Sequence, residues 1–495
     1  MVAHLVEAVR LLLDPLVVGA ILGSALFGLF VGAIPGLSAT MATALLVPVT
    51  FFLPPVPAVA CMVTATAMAI FAGDVPGALL RIPGTPASAA YTDDSYALTR
   101  QGHAEAVLGA DVVSSVLGGL VGTGVLITAA PVVANAALEF SSFEYFWLVL
   151  LGLTSAVFIS PGSPLRGLVS LLLGLLLACV GFENPAAVPR FTFGSTALMS
   201  GFQLIPVMIG MFAVAEVVRY ASAADVPFNR LTQHVGRVFS GQGAVMWRHR
   251  WGLVRGSGVG TLIGALPGAG ADIAAWIAYA IAKRFSKTPE KFGTGHLEGI
   301  IEAGAANNAA LSGAWIPALV FGIPGDSITA IVIGVLYLKG LNPGPTIFLD
   351  NPATIYAVLM TFFVANLLML PLGWGLIKAY RNVLRVPRGV LMPVILLFAV
   401  VGAFAINNST FDVGVMLVFG LLAFVMEANR FPIAPTILGL VLGGMLEQHF
   451  VTSMIKADGN ALAFFERPVA GVLGVVTLLV WVSPLVMNWW RRARA

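Results

Sequence analysis

Two stretches hold most of the polar side chains in an otherwise apolar chain. Residues 73–106 carry Asp74, Arg81, Thr85, Ser88, Asp93, Asp94 and Arg100 around the run Ile82-Pro83-Gly84-Thr85-Pro86. Residues 294–327 carry His296, Glu298, Glu302, Asn307, Asn308, Ser312, Asp326 and Ser327 around Ile323-Pro324-Gly325. Each is preceded by a further Pro-Gly break. The first is Gly32-Ala33-Ile34-Pro35-Gly36, with Ser38 just beyond it; the second is Gly264-Ala265-Leu266-Pro267-Gly268, with Asp272 one turn further on. Proline removes a backbone donor and glycine relaxes the chain, so each pair breaks a helix. A helix that restarts after such a break exposes unpaired N–H groups and about half a positive charge. Anions bind there without an arginine. The chemistry on offer is reversible binding of a carboxylate at Pro35, Gly36, Ser38, Pro83, Gly84, Thr85, Pro267, Gly268, Pro324 and Gly325. Asn307 and Asn308 add amide oxygens and donors, and the carbonyl ends of the preceding helices suit Na+. Asp74, Asp272, Asp326 and Asn308 are the candidate ion-coupling groups, because an ionisable residue at membrane depth is functional by default.

Each of these residues has a plainer reading. Asn307 and Asn308 glue helices together through hydrogen bonds, or line the site. Asp326 caps the following helix, or serves an ion. Asp93 and Asp94 are read as solvated loop residues and His296 as an interfacial one. Without clustered His or Cys partners, a transition-metal site is not expected. No Walker loop, paired HExxH or Gly-x-Ser-x-Gly elbow is present, so no ATP hydrolysis or known hydrolase chemistry is expected. An intramembrane enzyme would have to use Asp74 with Asp326, a pair better explained as ion handling. The reading is therefore not an enzyme, with no cofactor beyond Na+ or H+ as coupling ion.

The chain has 495 residues, 58% hydrophobic and 10% charged, with mean hydropathy +0.95. Soluble proteins carry about 25% charged residues, so this is a polytopic membrane protein in a lipid bilayer. Cys61 and Cys179 lie in apolar runs, which argues against a disulfide framework. The net charge of +3 reflects loop arginines and implies no nucleic acid partner. Residues 1–15 lack signal-peptide features; Val2, Leu5, Val6, Val9, Leu12 and Leu13 share a face, as in an amphipathic helix at the interface.

A spanning helix needs about 20 apolar residues. Candidates are 56–72, 107–134, 144–159, 165–181, 197–219, 352–377, 390–407, 411–427, 431–447 and 469–489. Stretches 16–52 and 252–283 are each interrupted by Pro-Gly and read as hairpins that enter and return. Stretch 298–348 fits one crossing plus a second hairpin. Broken helices at membrane depth are tolerated where protein or a water-filled cavity satisfies the freed groups. Paired breaks in two halves point to a transporter binding site.

Basic residues set the orientation. Arg219, Arg230, Arg237, Arg248, Arg250 and Arg255 crowd one loop, and Lys283, Arg284, Lys287 and Lys291 a second. Lys378, Arg381, Arg385 and Arg388 form a third, and Arg491, Arg492 and Arg494 end the chain. With all four in the cytoplasm, an odd number of crossings separates the hairpins, and the two halves form inverted-topology repeats. Glycine-spaced helices lead into both breaks (Gly19, Gly23, Gly28, Gly32; Gly252, Gly256, Gly260, Gly264) and allow close helix contact. The expected organisation is an N-terminal helix 1–15, repeat one 16–219, a basic cytoplasmic linker 220–251, repeat two 252–447, and 448–495 as external loop, last helix and basic tail. Within the repeats, 16–106 and 252–348 form a transport part; 107–219 and 352–447 form a scaffold part.

The blocks GAIPGLSATMATALLVPVTFFLPP (32–55) with RIPGTPASAAYTDDSYALTRQG (81–102), and the long block from Gly264 to Phe348 containing EAGAANNAALSGAWIPALVFGIPGDS, resemble the large membrane subunit of tripartite tricarboxylate transporters. The resemblance runs over most of the chain. It implies an all-α fold of elevator type in the bacterial inner membrane. The implied partners are a small membrane subunit of about four helices and a periplasmic solute-binding protein. The implied activity is import of a carboxylate by Na+ or H+ symport. A stand-alone ion-coupled carrier for an organic acid or a less anionic solute is the alternative, and a channel is a third reading that the inverted hairpins disfavour. The chain departs from the family pattern at Gly304, where many members carry Glu, at Asp326, where Ser is usual, and at Ala72-Gly73-Asp74-Val75-Pro76. Asp326 or Asp74 is the expected replacement for the lost carboxylate.

Overall fold

A computed structural model describes residues 2–159, 163–182, 184–222, 237–383 and 388–494. Arg230 and Arg385 of the basic loops, and residues 223–236 of the 220–251 linker, lie outside the described residues. Among those described, the chain is helical, with one isolated bridge between Gly181 and Arg190.

In chain order the helices are α1 (Val2–Leu12), α2 (Pro15–Ala33), α3 (Ala39–Phe51), α4 (Pro55–Ala72), α5 (Asp74–Leu80), α6 (Thr92–Arg100), α7 (Ala104–Ala137), α8 (Ser142–Ile159), α9 (Pro164–Ala178), α10 (Leu204–Ile209) and α11 (Ala215–Ser222). The second half runs α12 (Gln242–Arg248), α13 (Arg250–Gly264), α14 (Gly270–Phe285), α15 (Leu297–Phe321), α16 (Ser327–Leu338), α17 (Ile347–Asp350), α18 (Pro352–Val383), α19 (Arg388–Asn407), α20 (Thr410–Ala428), α21 (Ile433–Lys456) and α22 (Pro468–Arg494). Among the described residues, eight helical stretches are long and apolar enough to cross a membrane. The stretch expected at 197–219 is α-helical only from Leu204; a short 3-10 segment Thr196–Leu198 precedes a turn at Gly201, which adopts positive φ.

Both central Pro-Gly pairs end a helix as expected. Gly36 (φ 91°) and Gly268 (φ 81°) take the left-handed conformation at the turns between α2 and α3 and between α13 and α14. Gly322 (φ 66°) caps α15 before α16. The fourth break behaves differently. No α-helix starts after Pro83-Gly84; residues 81–87 form a turn, followed by a short 3-10 segment Ser88–Ala90 and then α6. The hairpins are also unequal. At 19 residues α2 is long enough to cross a membrane alone, whereas α3, α13 and α14 have 13, 15 and 16 residues.

Packing divides the chain into two compact units. The first, 1–134 with 205–425, holds the four Pro-Gly breaks at 35–36, 83–84, 267–268 and 324–325. In it α1 lays Ala8, Leu11 and Leu12 against Val17, Ile21 and Tyr356, while Val6 and Val9 stay exposed. The second unit, 135–204 with 426–495, is held by ion pairs and close packing. Arg190 grips Glu447 through two bonds of 3.0 and 2.8 Å, and Arg467 donates to the buried Glu144 at 2.5 Å. A Cβ at Gly174 would lie 2.1 Å from the Thr436 carbonyl oxygen, so α9 and α21 touch backbone to backbone.

Candidate solute and ion site

The first unit is built on a repeated packing pattern. A Cβ added at Gly28 or Gly32 of α2 would stand 2.3 or 2.4 Å from the carbonyl oxygens of Ala65 and Ala69 on α4. On α13, Gly256, Gly260 and Gly264 meet the carbonyl oxygens of Glu302, Ala306 and Ala310 on α15 at 2.3, 2.3 and 2.2 Å in the same way. In each half the ladder then continues four residues further on. Gly73 packs on Gly84 (2.5 Å to the backbone), and Ala314 packs on Gly325 (2.7 Å). The Ile-Pro-Gly glycines are therefore the top rungs of the ladders, with no room for a side chain. Gly19 and Gly23, read with the others from their spacing, face open space.

The ladders bring three of the breaks together. A Cβ at Gly270, the first residue of α14, would lie 2.7 Å from the Cβ of Asp326. Trp276 of α14 donates to the Pro86 carbonyl at 3.0 Å. Asp272 is solvent-facing, lies beside the backbone of Ala87, and stands within electrostatic reach of Asp326. Pro267, Gly268, Pro324, Gly325 and the loop Pro83-Gly84-Thr85 thus border one region. The Pro35-Gly36 turn faces a different neighbour: a Cβ added at Gly36 would lie 4.0 Å from Glu216 Oε1, while α3 beyond it packs on α16.

The helix starts are less open than their sequence suggests. Ser38 caps α3 by accepting from the Met41 amide at 3.1 Å. Asp326 caps α16 in a full capping box, accepting from the Thr329 amide at 2.8 Å while the Thr329 hydroxyl reaches back to the Asp326 amide. Thr85 and Ser88 bond each other's amides at 3.1 Å. Only α14 among these starts has no side-chain cap. The α14 start therefore leaves its amides uncapped by any side chain, with Asp272 and Asp326 nearby.

A second polar group lies buried beside the 81–87 loop, where the Gly84 amide donates to the Gly73 carbonyl at 2.9 Å. Tyr91 donates to Asp74 Oδ1 at 2.7 Å, and the Asn307 amide nitrogen lies 3.5 Å from the Tyr91 hydroxyl. Asn308 turns its amide nitrogen to Met369 Sδ at 3.8 Å, so the adjacent asparagines face different neighbours, as the 100° helical step dictates. Asp111 of α7, absent from the sequence reading, stands within electrostatic reach of Asp74. Its signal was available: a single carboxylate inside a long apolar helix.

Asp94 is not a solvated loop residue. It is 1% exposed. Its Oδ1 accepts from the amides of Gly293, Gly295 and His296 at 2.8, 2.8 and 3.1 Å, and its Oδ2 from the Tyr279 hydroxyl at 2.6 Å. The carboxylate pins the turn that leads into α15 onto α6. Asp93 next to it is 63% exposed in its pair with Arg81. Asp94→Ala is expected to lower the thermal midpoint of the detergent-solubilised protein, since it removes four hydrogen bonds to part-buried donors, each contributing about 0.5–1.5 kcal/mol. Asp93→Ala is expected to change it little, within about 0.5 kcal/mol. Equal effects of the two changes would contradict this geometry. His296 closes the same turn, receiving the Glu298 amide on Nδ1 and stacking on Phe292. Among the described residues no group of three or more His, Cys, Asp or Glu is placed to hold a metal.

Comparison with known proteins agrees with the residues. An uncharacterized 52.8 kDa protein in the TAR-I ttuC' 3' region of Agrobacterium vitis is 34% identical over 469 residues, covering 93% of this chain and 91% of that protein. An uncharacterized protein in the TAR-II ttuC' 3' region of the same organism is 36% identical over 232 residues, 46% of this chain and 96% of that protein. No solved structure matches. The family described as tripartite tricarboxylate transporter TctA matches residues 18–438, a span that takes in both glycine ladders and every Pro-Gly break, and to that family of membrane transporters this chain belongs.

Proposed function

We propose that the chain is the large transmembrane subunit of a binding-protein-dependent secondary transporter, importing a carboxylate by Na+ or H+ symport across the bacterial inner membrane. The observation that carries this reading is the convergence of the uncapped α14 start with the 322–326 break and the 81–87 loop, where backbone amides rather than basic side chains are on offer to an anion. Its partners are a small membrane subunit and a periplasmic solute-binding protein. The matching ladders in α2–α4 and α13–α15 support two repeats, and the arginine-rich loops support their inverted orientation. In this reading 16–106 with 252–348 move, and α7 moves with them, because Cβ positions at its Gly118 and Gly122 lie 2.2 and 2.7 Å from the Ala305 and Ala309 carbonyl oxygens of α15. Asp272 and Asp326 beside the amides favour a solute of modest negative charge, because a tricarboxylate there meets like charge.

The test is a calorimetric screen of the cognate binding protein against a carboxylate panel. A tight hit on a mono- or dicarboxylate is expected. Selective binding of a neutral or cationic compound would instead favour the less anionic solute and turn Asp272 and Asp326 into solute contacts.

A further inference from the structure

Four buried oxygens lie around Asp111 with nothing to bond: both carboxylate oxygens of Asp111, Oδ2 of Asp74 and Oδ1 of Asn307. Their residues are 3%, 3% and 1% exposed. All four are acceptors. The Tyr91 hydroxyl is already given to Asp74 Oδ1, and Ser115 Oγ, a buried hydroxyl beside the same Gly304 position, also has no partner. Among the described residues neither aspartate has a basic partner. Beside them α15 carries Gly304, where a Cβ would stand 3.2 Å from Asp111 Oδ1 and 3.1 Å from Ser114 Oγ, so the missing side chain keeps room next to the carboxylate.

A buried charge that is neither paired nor hydrogen-bonded is costly, and two within reach of each other are costlier. Water would supply donors but no positive charge. A proton satisfies two oxygens, and here four are orphaned. Hard oxygen ligands converging from several elements suit a hard cation. We propose that Asp74, Asp111 and Asn307, with Ser114 at the rim, form a binding site for one dehydrated sodium ion that ties α5, α7 and α15 together. Its role as the coupling ion rests on the symport reading above; its existence does not. The ion would lock Asn307, whose neighbour Asn308 and whose helix α15 lead to the 322–326 break, so occupancy and solute binding share one rigid element.

The experiment measures binding of radiolabelled sodium to the purified full-length chain in nanodiscs, without solute or partner proteins, at constant ionic strength with choline as replacement. Saturable binding is expected for the wild type and for Asp93→Asn, and its loss in Asp74→Asn and in Asp111→Asn. Hydrogen exchange on the unmodified chain gives a second readout that needs no variant: sodium should slow exchange in 74–80, 107–115 and 303–311 together. No binding by the wild type, binding retained in both aspartate variants, or proton uptake without sodium binding would each overturn the site. A chain that binds sodium here yet moves no carboxylate would refute the transport reading and leave the site standing.

Discussion

Gly260→Val is expected to abolish the folded protein, while Gly258→Ala, two residues away on the same helix, leaves it at wild-type yield. The Gly260 Cβ position lies 2.3 Å from the Ala306 carbonyl oxygen and 2.7 Å from its Cα, whereas nothing lies within 4 Å at Gly258. Overpacking costs about 1–3 kcal/mol where side chains can shift. Here the obstacle is helix backbone, and Gly256 and Gly264 hold the same interface shut on either side. Valine can be accommodated only by parting α13 from α15 along its length. That parting would lose the close packing that replaces the hydrophobic effect between helices in lipid. Size-exclusion profiles of the two variants after mild solubilisation decide the matter. A monodisperse, wild-type-like Gly260→Val would show that the helices are not in backbone contact.

Glu302→Ala is expected to rank next. Glu302 is fully buried on α15, and the Arg255 guanidinium of α13 donates to its two oxygens at 2.7 and 2.5 Å. Arg255 also lies over the Phe285 ring, 4.9 Å from its centre. Removing one partner of such a pair costs about 3–5 kcal/mol, because the other charge stays behind. Replacing both partners with methionine removes that penalty, so the Arg255→Met/Glu302→Met double variant should recover most of the stability lost by Glu302→Ala. Thermal unfolding in detergent measures both. If the double variant is as unstable as the single one, the pair contributes more than charge neutralisation and its geometry is needed for the hairpin itself.

Much of this was legible because breaking a helix in a membrane requires conspicuous residues. Pro35-Gly36, Pro267-Gly268 and Pro324-Gly325 each end a helix where the chain says so, and Asn307 lies in a polar cluster as its type suggests. Pro83-Gly84 misled because the same dipeptide also serves a plain turn; what decides is that Thr85 and Ser88 satisfy the local amides without a helix. Asp326 and Ser38 show the reverse problem. A helix start is visible in sequence, but whether its own side chain has already closed it is a matter of rotamer. Asp94 and the Asp74–Asp111 pair depend on contacts between segments far apart in the chain, which spacing does not record. The family pattern marked Gly304 as a lost carboxylate. Asp111, not a residue nearby in sequence, has an oxygen 3.2 Å from that position's Cβ direction.

The most direct test of the account is carboxylate uptake into proteoliposomes containing both membrane subunits, supplied with loaded binding protein, under an imposed cation gradient. The account predicts accumulation that requires the binding protein, follows an inward sodium gradient, and collapses in Asp111→Asn. Uptake that proceeds without the binding protein, or that equilibrates without accumulation under any sodium or proton gradient, would contradict it.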